Sequence, residues 1–160
     1  MGDIVNWIKR KQNRLKGYDY SRNGVYFITI CTKEKRNILG RISSAPEAVT
    51  ELSAYGIIAD KYLMRIRGLK NYIIMPNHIH MLISIESADD TYKSIPQIIK
   101  SFKILVTKEV GFSVFQRSYH DHIVRNESEY QKIWKYIDEN PIKWQEDCYY
   151  NQRGHHEWEE

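Results

Sequence analysis

Residues 75–85 read MPNHIHMLISI, with two histidines one residue apart at the head of an apolar run. In a strand beginning near residue 78, side chains alternate between faces. His78, His80, Leu82 and Ser84 then share one face, and Ile79, Met81, Ile83 and Ile85 the other. Residues two apart lie roughly 6.6 Å along a strand, so both imidazoles can lean onto one divalent ion, with ligands from elsewhere completing its shell. The position that would extend the pair to HxHxH is Leu82, which argues against a histidine-triad hydrolase. Taken alone, the pair fits a structural role as well as a metal site.

The patterning around this stretch defines the elements. VYFITICT (25–32), rich in β-branched and aromatic residues after the turn-like SRNG, predicts a strand. Residues 33–46, with Gly40, two serines and Pro46, read as a loop. In 47–64 the spacing of Val49, Leu52, Ile57, Leu63 and Met64 predicts a first helix, interrupted by Gly56. Apolar runs at 71–75 and 78–85 flank Pro76. Ser94 with Gln97 forms a capping box for a second helix that buries Ile95, Ile98, Ile99, Phe102, Leu105 and Val106 and ends at Gly111. VFQRSYHDHIVR (114–125) predicts a further strand. A third helix opens at Asn126, with Glu129 completing a capping box, and buries Tyr130, Ile133, Trp134 and Ile137 before Pro141 stops it. The order β, α, β, β, α, β is that of an α+β, ferredoxin-like split βαβ antiparallel sheet, here with an added C-terminal helix.

Composition narrows the function. The 160 residues, 42% of them hydrophobic, suit a single domain over 1–160, with a core of about 18–145, a basic N-terminal segment (1–17) and a polar tail (146–160). No apolar run approaches the ~20 residues a membrane helix needs, and the N-terminus lacks the apolar stretch of a secretory signal, so a soluble, cytoplasmic protein is expected. Cys31 and Cys148 make no CxxC spacing, so neither a disulfide framework nor a thiolate zinc site is indicated. The net charge of +4 is uneven: residues 1–41 carry ten Lys/Arg against three Asp/Glu, whereas 126–160 hold nine acids against four bases. Basic residues interleaved with tyrosines, as in KRKQNRLKGYDYSRNGVYF, suit a surface that neutralises phosphates and stacks unpaired bases, or else a solvated basic tail.

A nucleophile is available on the third helix. Helical geometry sets Tyr136 and Asn140 at the edge of its apolar stripe, where a helix meets both its sheet and water. Tyr136 can then present its phenol to the sheet face, with Asn140 one turn on. Tyrosines on amphipathic helices also simply pack, and Asn140 precedes a proline, which favours its leaving the helix.

MPNHIHMLISI, IPQIIKSFKILVTKEVG, VFQRSYHDHIVRNESEYQKIWKYIDENPIKW and the N-terminal RLKGYDYSRNGVYFITICT together resemble the REP-associated tyrosine transposases, small single-tyrosine enzymes of the HUH class. The resemblance spans roughly residues 14–145. It implies a ferredoxin-like fold that binds single-stranded or hairpin (REP-like) DNA and cuts beside the hairpin. His78 and His80 match the paired metal ligands, Tyr136 the nucleophile, and Asn140 the position one turn later that helps hold the ion. The implied reaction is metal-dependent strand cleavage and transfer through a covalent 5′-phosphotyrosine, with Mg²⁺ or Mn²⁺ as cofactor. Manganese suits the nitrogen ligands at least as well as magnesium.

Arg14, Lys16, Lys100, Lys103, Arg117 and Arg125 are candidates for nucleic-acid contact. Arg125 could instead pair with Glu129. His120 and His122 form a second HxH, read as structural or substrate-contacting, and His155 and His156 lie in a polar tail read as disordered. Two rival readings stand beside strand transfer: a domesticated hairpin-binding protein that no longer cleaves, and a hydrolase in which water replaces Tyr136. Both a monomer and a homodimer fit the sequence.

Overall fold

The computed structural model describes residues 24–44, 47–86 and 93–146. The elements run β1 (Gly24–Cys31), a 3-10 turn (Lys33–Lys35), β2 (Gly40–Ile42), β3 (Thr50–Leu52), α1 (Ala54–Leu63), β4 (Leu69–Met75), β5 (His78–Ile85), α2 (Ile95–Val110), β6 (His120–Val124), α3 (Glu127–Glu139) and a 3-10 turn (Trp144–Glu146). Four strands form one antiparallel sheet in the order β4-β5-β1-β6. This is the ferredoxin-like arrangement, in which the first and third strands of the split βαβ pair at the centre. β2 and β3 make a separate two-stranded ribbon. The proposed basic segment, Arg14, Lys16, Cys148, His155 and His156 lie outside the described residues. Among the described residues no helix is long and apolar enough to cross a membrane.

The helices divide between the faces of the sheet. Tyr26, Ile28 and Ile30 of β1 join Ile79, Met81 and Ile83 of β5 in one core, closed by Ala59 and Leu63 of α1 and by Ile95, Ile99, Phe102 and Val106 of α2. The alternate residues Phe27, Cys31 and Leu82 pack beneath Ile133, Tyr136 and Ile137 of α3 and against Trp144. The caps explain where the helices start. Ser94 and Gln97 make the reciprocal capping box, and Gly111, at φ 93°, ends α2 in the left-handed region. The Asn126 side chain accepts from the Glu129 amide at 2.8 Å. The expected second capping box differs in one respect: the Glu129 carboxylate reaches the backbone N–H of Arg125, at 2.8 Å, rather than that of the cap residue.

Three boundaries depart from the sequence expectation. The segment 33–46 holds a turn and β2 rather than only loop, and the helix expected over 47–64 begins at Ala54 because Thr50–Leu52 pairs with β2. Its expected stripe is also shifted: Val49, Ile57 and Met64 are exposed, while Gly56, Ala59 and Leu63 are buried. Gly56 is no interruption, because the Leu39 carbonyl lies where its Cβ would be, at 2.0 Å, and only glycine allows that approach. Leu105 of α2 is likewise exposed. The strand expected from residue 114 starts at His120, since Phe115 makes only an isolated bridge to Thr32.

Candidate active site and metal centre

β5 opens directly on the histidine pair. His78 lies opposite Met75 and Cys31, and His80 opposite Ile73 and Thr29, so both rings project from the face that α3 covers. Both are fully buried, and their ring centres stand 4.5 Å apart. Each ring is held through Nδ1: that of His78 lies 2.8 Å from Asn77 Oδ1, and that of His80 lies 2.7 Å from Thr29 Oγ1. These bonds set the ring planes and turn both Nε2 edges away from their supports, the usual preparation of an imidazole for metal ligation.

Above this floor, α3 brings Tyr136. Its phenolic oxygen is 3.5 Å from His80 Nε2, a long contact for a hydrogen bond, with the ring centres 5.2 Å apart. Phe27 meets the Tyr136 ring edge-on at 6.2 Å. Tyr136 sits under cover rather than at the edge of the stripe, only 5% exposed. Asn140 stays in the helical region (φ −57°, ψ −43°) despite the following proline, and is buried. Its amide oxygen, closed off from water, makes no hydrogen bond of good geometry, although the side chain lies near enough to His78 to act on that ring's pKa, and a buried polar group in that condition calls for an explanation. Trp144 covers the other side, its ring 5.9 Å from that of His78.

Burial pushes the His78 pKa down to about 3; the Asn140 side chain opposes this, and the positive charge of Lys35 adds to it. The imidazole is therefore neutral at pH 7, the form in which nitrogen binds a metal. Among the described residues no three His, Cys, Asp or Glu side chains gather. The donor set that does gather is two neutral imidazoles and one amide oxygen. A lone buried amide oxygen beside two buried rings fits a divalent cation that accepts mixed nitrogen and oxygen ligands.

The structure thus brings Tyr136, His78, His80 and Asn140 together. None of the basic candidates among the described residues, Lys100, Lys103, Arg117 and Arg125, belongs to this cluster. Lys100 and Lys103 are on α2, across the sheet, and the Lys103 ammonium donates to the carbonyls of Gln116, Arg117 and Ser118 at 2.7, 3.0 and 3.3 Å. Those three bonds use the donors a phosphate would need and fasten the loop that carries Arg117, which is exposed. Arg125 is exposed just before α3, and it is its backbone, not its guanidinium, that engages Glu129. His120 and His122 share the α3 face, opposite Thr29 and Phe27. His122 Nε2 meets the Glu129 carboxylate and ties β6 to the first turn of α3. The sequence reading missed Thr29, Asn77 and this His122–Glu129 tie. Asn77 carried a faint signal, a polar side chain wedged between a proline and a buried histidine.

The buried histidine pair at the head of a central strand is thus roofed by a tyrosine-bearing helix on a ferredoxin-like sheet. The chain is 32% identical to an uncharacterised Haemophilus influenzae protein over 168 residues, covering 88% of this chain and 93% of that one. A second Haemophilus influenzae protein, described as a REP-associated tyrosine transposase, is 24% identical over 78% of this chain and 74% of its own length. The solved structure of a REP-associated tyrosine transposase bound to a REP hairpin superposes with a TM-score of 0.65 at 19% identity, covering 83% of this chain and 74% of that one, and it shares the fold. No family model matches the chain. The chain belongs to one family with the uncharacterised Haemophilus influenzae protein, and over most of its length it is similar to REP-associated tyrosine transposases.

Proposed function

We propose that this protein is a metal-dependent DNA strand transferase that cleaves and rejoins single-stranded DNA beside hairpins. The observation that carries this reading is the approach of the Tyr136 phenol to within 3.5 Å of His80 Nε2, over a buried histidine pair. Tyr136 attacks a phosphodiester: the Oη–P bond forms as the P–O3′ bond breaks, the phenol loses its proton and the 3′ oxygen gains one. The 5′ phosphate stays on the enzyme as a phosphotyrosine, and a 3′ hydroxyl attacking that phosphorus reverses the step, so strands are exchanged without ATP.

A phenol with a pKa near 10 is ionised in only about one molecule in a thousand at pH 7, so the nucleophile needs help. His78, His80 and Asn140 would hold a divalent cation, Mg²⁺ or Mn²⁺, and that ion would supply charge neutralisation at the phosphate oxygens and orientation for in-line attack. Because the three ligands are uncharged, the full positive charge remains for phosphate and phenolate. Phe27 and Trp144 keep the floor dry, which strengthens each of these interactions. Arg117 and Arg125, both exposed, would meet DNA phosphates.

The test is incubation with stem-loop DNA oligonucleotides labelled at the 3′ end, in Mg²⁺ or Mn²⁺, followed by denaturing electrophoresis. A labelled protein–DNA adduct that disappears in both Tyr136→Phe and His78→Ala is the expected result. Hairpin binding without any adduct would replace this reading with a binding protein, and cleavage surviving Tyr136→Phe would make water the nucleophile.

A further inference from the structure

Asn77 sits in the turn between β4 and β5, fully buried, one residue before the first histidine. Its amide is oriented by what lies on either side. Nδ2 donates to the Lys35 carbonyl at 3.3 Å, and Oδ1 faces His78 Nδ1 at 2.8 Å. Turning the amide over would set its oxygen against the Lys35 carbonyl oxygen, so the network admits one orientation. An amide oxygen only accepts. His78 Nδ1 must therefore carry the hydrogen, and Nε2 keeps the lone pair.

His80 is supported differently. The hydroxyl of Thr29 can donate or accept, so the 2.7 Å contact steadies that ring without choosing its tautomer. Only the Asn77 support is selective, and the surrounding chain is fitted to maintain it. The Asn77 carbonyl accepts from the Thr32 backbone N–H at 3.0 Å and from the Thr32 hydroxyl at 3.2 Å, and the Pro76 carbonyl accepts from Leu39 N–H at 3.0 Å. The Lys35 carbonyl is aimed by a turn in which Glu34 and Lys35 both adopt left-handed backbone, at φ 58° and 53°, although neither is glycine. Successive non-glycine residues in that region persist where the surroundings hold them, and such strain clusters at functional sites.

We propose that Asn77, buttressed by the Lys35 carbonyl, is a positioning residue that fixes the Nδ1–H tautomer of His78 and so presents its Nε2 lone pair to the metal. The proposal rests on the metal reading given above, and two independent measurements separate them. Long-range ¹H–¹⁵N correlation spectra of the metal-free protein report the tautomer of each imidazole directly. Titration with Mn²⁺, followed by electron paramagnetic resonance of the free ion, reports affinity. Wild type should show His78 protonated at Nδ1 only. Asn77→Ala should lose that preference and bind Mn²⁺ about 10- to 100-fold more weakly, the usual cost of removing an imidazole's supporting partner. Asn77→Asp, which keeps an accepting oxygen at Nδ1 but loses the bond to the Lys35 carbonyl, should restore the tautomer, with an affinity between those of wild type and Asn77→Ala. Thermal melts of each variant confine the comparison to folded protein, and should Asn77→Ala fail to fold, the wild-type and Asn77→Asp spectra carry the test. A wild-type His78 protonated at Nε2, or an unchanged Mn²⁺ affinity in folded Asn77→Ala, overturns the proposal. Wild type that binds no Mn²⁺ overturns the metal reading instead, and the tautomer spectrum still decides whether Asn77 sets the ring.

Discussion

The two faces of the central sheet are made from the same strands, yet they are built for different ends. Toward α1 and α2, β1 and β5 present Tyr26, Ile28, Ile30, Ile79, Met81 and Ile83, all fully buried among apolar neighbours. Asp121, opposite Ile28, brings a charged side chain to this face. Toward α3 the alternate positions are Phe27, Thr29, Cys31, His78, His80 and Leu82, equally buried but with polar groups at their centre. Burying apolar surface yields roughly 25 cal/mol per Å², whereas burying an imidazole costs free energy unless it is hydrogen-bonded. The first face therefore holds the fold together, and the second draws on that stability to keep a polar cluster dry.

Substitutions on the two faces should fail in different ways. The largest effect belongs to the α3 face: Tyr136→Phe should lower adduct formation by several orders of magnitude, on the order of 10⁶-fold where a nucleophile is deleted, while its melting temperature stays within a few degrees of wild type. Across the sheet, Phe102→Ala should cost about 3–5 kcal/mol in denaturant unfolding, with adduct formation retained by the folded fraction. A Phe102→Ala protein that remains fully stable would remove the distinction between the faces. Lys103→Met removes a half-buried ammonium shared by three carbonyls and should cost about 1–3 kcal/mol; hydrogen exchange should show the loss concentrated in 114–119. Faster exchange throughout the chain would argue against a local tether.

The smallest effect is set by pH. His78 is held neutral in the fold, with a pKa lowered from 6.5 to about 3. Above pH 6.5 folded and unfolded chains bind the same number of protons at this site, so it contributes no pH dependence there. As pH falls from 6.5 toward 3 the unfolded chain takes up the proton first, and stability declines by at most about 1.4 kcal/mol per pH unit. Denaturant unfolding of metal-free protein at pH 7.0 and 5.5 should show this decline, and His78→Gln should reduce it. An identical slope in that variant would assign the decline to other groups.

Strict alternation made β5 legible, because a period of two assigns every side chain in HIHMLISI to a face before any partner strand is known. Cap chemistry likewise placed the starts of α2 and α3, where Ser94, Gln97 and Asn126 act on amides within three residues. The extent of α1 was not legible, because Val49, Ile57 and Met64 imitate a buried stripe from exposed positions. Its real contact is made by Gly56 and Ala59, whose small size carries no hydrophobic signal. In the site, the pairing of His78 with His80 could be read locally. Their supports could not: Thr29 comes from 51 positions away through strand register, and the Lys35 carbonyl from 42 away through a turn that no composition rule anticipates.

One continuous stretch of chain roofs the cluster. Tyr136, Asn140 and Trp144 follow one another at intervals of four residues, the first over His80 and the last beside His78. On the proposed reading, the attacking phenol, the amide ligand and the indole cover all hang on this one stretch, so a substitution that shifts it would disturb nucleophile, ion and cover together.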